Sequence, residues 1–78
     1  MTHVPHELTE EFPAQAQAIH ALKSANAHFA RLADRYHDVN RTIHRMETNV
    51  EPTDDLTIEA LKKERLKLKD DIAVLLPA

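Results

Sequence analysis

HFARLADRYHDVNRTIHRME, residues 28–47, decides how this chain folds. Phe29, Leu32, Tyr36, Val39, Ile43 and Met46 recur at alternating steps of three and four, and Val50 extends the series. That is the a/d spacing of a helix with one apolar seam. Arg31, Asp34, Arg35, Asp38, Arg41 and Arg45 fall on the other side. The pattern predicts a helix of about 22 residues, roughly 33 Å long at the α-helical rise.

Downstream, TNVEPTDD (residues 48–55) ends it. Asn49 suits a left-handed C-cap and Pro52 cannot continue a helix, while Thr53 or Asp54 can cap the next one. A second seam follows in Ile58, Leu61, Arg65, Leu68, Ile72 and Leu75, which predicts a helix from Asp54 to Leu76. Two seams joined by so short a loop pack antiparallel, which predicts an all-α helical hairpin with coiled-coil-like packing. Facing the seams brings Ile43 near Leu61, Tyr36 near Leu68, Leu32 near Ile72 and Phe29 near Leu75. Arg65 then lies level with Val39 and Asn40.

Arg65 breaks the apolar stripe, and Leu66 lies about 100° further round the helix, outside it. The arginine can lay its stem on Val39 and carry its guanidinium to Asn40, Tyr36 or solvent. Alternatively it is a register device, like a polar residue at a coiled-coil a position. Either way its charge is expected to cost stability, so that Arg65→Leu raises the melting temperature. Leu66 is expected to touch either the Ile19–Leu22 face of the N-terminal segment or a second chain. Ile19, Leu22 and Leu66 are therefore the candidate association surface.

Upstream, residues 1–12 are polar and read as a flexible tail, with residues 13–78 as a single hairpin domain. Pro13 fits the first turn of a short extra N-terminal helix. SANA, residues 24–27, weakens its pattern, and Asn26 there is a good N-cap for a new start.

With 78 residues, the chain holds one small domain whose surface-to-volume ratio works against it. Cysteine is absent, which removes disulfides and thiolate metal sites and suits a cytoplasmic protein. The opening residues lack a basic region followed by an apolar one, so no signal peptide is read, and no apolar run is long enough for a membrane span. Glycine is absent too. Left-handed turns are then expected only at Asn or Asp, and phosphate-cradling loops or oxyanion turns lack their usual residue. The formal charge of -3 gives no pull towards nucleic acid, and protonating all six histidines would carry it to +3. The sign changes near pH 6.0, where solubility should be least and association strongest. Replacing His37 and His44 by Gln should leave most of that trend in place.

With HFARLADRYHDVNRTIHRME and TDDLTIEALKKERLKLKDDIAVLL in place, the chain resembles the YdcH-like family of small bacterial proteins of unknown function. The likeness runs from Phe12 to Leu76, and its most specific pieces are LKKERLKLKDDI, FARL and the acidic-proline loop. It implies a helical hairpin and brings no activity, cofactor or catalytic residue.

Chemistry is poorly supplied. His37 and His44 stand seven apart with Arg41 between them, whereas zinc on a helix prefers i and i+4 without a cation. Glu10–Glu11, Asp54–Asp55 and Asp70–Asp71 are adjacent pairs that diverge on a helix and suit helix termini better than acid–base work. Ser24 and His20 share a helix without oxyanion donors. The expectation is a protein that is no enzyme and takes no cofactor or metal. Lys62, Lys63, Lys67 and Lys69 are interleaved with Glu59, Glu64, Asp70 and Asp71 and carry no aromatic for base stacking. A nucleic-acid-associated accessory protein using that lysine face is thus the second reading. The first is a helical interaction or adaptor module that self-associates or docks on an unidentified partner's helices. On this view the isolated chain is no stable monomer at micromolar concentration.

Overall fold

The computed structural model describes residues 5–48 and 54–77. The expected roles of Asn49, Val50, Pro52 and Thr53 fall outside those residues. Among the described residues four α-helices form: α1 (Leu8–Glu11), α2 (Ala16–Ala25), α3 (Ala27–Glu47) and α4 (Asp55–Leu75), with a 3-10 turn over Pro13–Gln15 before α2. No strand occurs among the described residues. The long α3 and α4 pack on each other as the antiparallel hairpin, so the all-α expectation holds.

Local chemistry sets the boundaries. Asn26 is extended (φ -131°, ψ 107°), so the helix does break at this residue. Its side-chain oxygen accepts from the Phe29 backbone N–H at 3.0 Å, which fills one of the open donors at the start of α3. Asn26→Ala is expected to cost about 1 kcal/mol in urea unfolding, with the loss of order centred on the α2–α3 junction. Asp54 caps α4 in the same way, accepting from Thr57 N–H at 2.7 Å, and this bond holds its carboxyl below the ordinary range. Thr48 ends α3, its backbone N–H and hydroxyl both returning to the His44 carbonyl.

The core differs from a plain two-helix seam. Phe29, Ala33, Tyr36, Asn40 and Ile43 are all buried, which adds a second stripe on α3 beside the one that faces α4. Ile19 of α2 and Leu8 of α1 close over this second stripe, and Leu68 and Ile72 of α4, with Leu76 just past its end, complete the core. Ile19 was expected on an association surface. It is only 4% exposed, because the break at Asn26 folds α2 back onto α3 and uses up its apolar face within the chain.

The segment read as a tail is described from Pro5 onward, and there it is built into the fold. Pro5 and His6 lie against the middle of α3, and Gln15 Nε2 donates to the Pro77 carbonyl at 2.7 Å beyond the end of α4. Left-handed geometry was expected only at Asn or Asp, yet His6 adopts it (φ 65°). Such a conformation costs about 1 kcal/mol or more, and the contacts this segment makes with α3 hold it there.

Candidate functional site

Arg65 finds its partner in Asn40. Its Nη1 donates to Asn40 Oδ1 at 2.9 Å, and Asn40 Nδ2 donates in turn to the Pro5 carbonyl at 2.8 Å. Asn40 is 1% exposed, so both ends of its amide must be satisfied inside the protein. The arginine in the seam is therefore one end of a relay that runs across α3 to the N-terminal segment. One turn away the Tyr36 hydroxyl donates to the His6 carbonyl at 2.6 Å. Burial pushes the Tyr36 phenol up to about 12, with the Glu11 carboxylate adding to it, so it stays a donor throughout the physiological range.

Polar side-chain contacts fix the segment's other side. His37 Nδ1 lies 3.2 Å from Glu7, and Glu11 Oε1 lies 3.3 Å from His6 Nδ1 and 3.4 Å from Lys69 Nζ. The Lys69 ammonium also stands 5.8 Å from the centre of the Phe12 ring, within cation–π range. Desolvation pushes the Glu11 carboxyl up, but the His6 hydrogen bond and the Lys69 charge outweigh it and the net shift is downward. A depressed folded value means the contribution is complete above the ordinary 4.5 and is lost as pH falls through the folded value. Below pH 4.5, stability is expected to fall and amide protection factors, corrected for the intrinsic exchange rate, to drop across Leu8–Glu11. Glu11→Gln should flatten this acid limb, which melting curves at stepped pH would record.

Glu7, Lys23, Tyr36 and His37 rim a cleft of about 110 Å³ between α1, α2 and α3. That falls short of the ~300 Å³ at which pockets begin to hold organic ligands. No group of three or more metal-ligating side chains occurs among the described residues. His37 and His44 are both on α3, and His37 is taken up by Glu7. Of the lysine run, Lys62 pairs with Glu47 at 3.0 Å, Lys67 with Asp71 at 3.5 Å and Lys69 with Glu11. Lys63 alone of the four has no ionic partner among the described residues, so this face offers little unspent positive charge.

The residues of the two seams differ in burial. Phe29, Tyr36, Val39, Ile43, Leu68 and Ile72 are buried, while Leu32, Met46, Ile58, Leu61, Arg65 and Leu75 are partly covered. On the flanks Arg35 grips Glu64 through two bonds of 2.6 and 3.0 Å. The three candidate association residues separate. Ile19 is in the core and Leu22 packs against it, but Leu66 is 60% exposed and stands outside that core cluster. Leu66 lies on the outward face of α4, which also exposes Leu56 and Val74, both 82% accessible. On α3, by contrast, the outward positions are charged, as Arg31, Asp34, Arg35, Asp38 and Arg41. No helix of the described residues is long and apolar enough to cross a membrane.

The family described as a protein of unknown function (DUF465) matches residues 29–76, which takes in nearly all of α3, all of α4 and the residues between them. No curated protein and no solved structure matches the chain.

Proposed function

We propose that this chain, which belongs to the DUF465 family of proteins of unknown function, is a YdcH-like, non-enzymatic interaction module that associates through the outward face of α4. The observation that carries this reading is the exposure of Leu56, Leu66 and Val74 on a helix whose inner face already has its partner in α3. Large apolar side chains left in water on one helix of so small a domain are the usual mark of a contact surface. Single exposed leucines are common on any protein, but these three share one face of one helix, and α3 has none.

Association of this kind also suits the size of the protein. A hairpin with two short helices beside it has little core, and burying a further apolar face adds stability that the monomer lacks. A cysteine-free chain is at home in the reducing cytoplasm, where we place it. The test is thermal melting over a range of roughly 10 to 1,000 μM protein, since only coupled folding and association makes the midpoint depend on concentration. A rising midpoint supports self-association. A midpoint that stays fixed over that range contradicts it.

A further inference from the structure

We infer that the occupant of the outward face of α4 is a second copy of the same helix, antiparallel, with Leu56 of each copy opposite Leu66 of the other. The inference rests on the self-association reading above and deepens it to a surface, an orientation and a register.

Outward positions on α4 form a second seam. Leu56, Glu59, Lys63, Leu66, Asp70 and Ala73 follow steps of three and four and are all exposed. They occupy an arc of roughly 100°, the width of one helix–helix contact. Glu59, Lys63 and Asp70 have no ion pair among the described residues, so their charge pattern is open to a partner. That pattern can be tried against itself in every arrangement a two-fold axis permits.

A parallel pair sets each residue opposite its own copy. Glu59 would meet Glu59, Lys63 would meet Lys63 and Asp70 would meet Asp70, giving repulsion at three layers. Antiparallel pairs differ only in register. With Leu56 opposite Leu66, Glu59 of each copy falls opposite Lys63 of the other. The result is two ion-pair layers at the centre flanked by two leucine layers. A slip of one heptad towards the C-terminus sets Glu59 opposite Asp70 twice and Lys63 opposite Leu66. A slip the other way sets Leu56 against the Glu59 carboxylate. Only the first register satisfies both the leucines and the charges, and charge layers of this kind fix partner and orientation in helix pairs.

Charge reversal tests this pairing directly. Glu59→Lys and Lys63→Glu are made separately in the full chain, with circular dichroism to check that each stays helical. Alone, each variant faces like charges in both central layers, and its self-association should weaken about tenfold or more, the equivalent of 1.4 kcal/mol. Mixed in equal amounts, the two variants restore opposite charges in both layers, and association should return to the wild-type level. Sedimentation equilibrium of each sample and of the mixture reads the result. If wild type associates but the single variants match it, or if the mixture is no tighter than its components, the α4 pairing is overturned while self-association stands. If wild type is monomeric throughout, the self-association reading falls and this pairing with it.

Discussion

Phe29→Ala is expected to leave the chain largely unfolded at room temperature. Phe29 is fully buried where the start of α3 meets α2 and α4, and its own backbone N–H carries the Asn26 cap. Removing a buried phenylalanine costs about 3–5 kcal/mol in lost transfer energy and residual cavity. A single core in a domain below ~80 residues supplies only about 3–5 kcal/mol of net stability. The loss therefore equals the whole margin. Circular dichroism should show helicity collapsing towards that of a peptide, and high protein concentration should restore part of it if association stabilises the fold.

Arg65→Leu is expected to lower the melting temperature, the reverse of what the seam pattern alone suggests. From spacing, a charge among leucines is a cost that an apolar residue removes. The structure changes the sign because the guanidinium is the donor to Asn40 Oδ1 at 2.9 Å. Without it that oxygen is buried and unpaired, at about 1–3 kcal/mol. Asn40→Leu should cost a similar amount, since it strands the Pro5 carbonyl and the guanidinium together. The double variant is the decisive arm. If the two residues act as one relay, its loss should fall short of the summed single losses by about 0.5–3 kcal/mol in a double-mutant cycle. Additive losses would mean that Arg65 and Asn40 stabilise the fold independently.

The hairpin was legible because both long helices carry a regular apolar seam, and the pairing register followed from the short loop. Arg65 sits level with Asn40, as that register requires. The second stripe on α3 was not legible. Ala33 and Asn40 complete it, and neither an alanine nor an asparagine signals burial by its own hydropathy; both are buried because α2 and the N-terminal segment cover them. The folding of residues 5–12 was hidden for a related reason. They are held in part by backbone carbonyls of Pro5 and His6 accepting from Asn40 and Tyr36, and a carbonyl leaves no mark in a sequence. Of the candidate association residues, Leu66 was expected against the Ile19–Leu22 face or a second chain, and it is exposed on α4. The burial of Ile19 was hidden, because the break at Asn26 that returns α2 to the core lies between two segments whose relative direction no periodicity records.

Leu66→Glu separates association from folding most sharply. Leu66 is 60% exposed and lies outside the core, so a glutamate there should leave helicity and the hairpin intact. Opposite Leu56 of a second copy it would place a carboxylate in each leucine layer. Sedimentation equilibrium of wild type and Leu66→Glu side by side tests the claim that α4 is the association surface. The account predicts a wild-type mass approaching twice 8.9 kDa as concentration rises, and a variant that remains near 8.9 kDa. A Leu66→Glu variant that self-associates as strongly as wild type would contradict it.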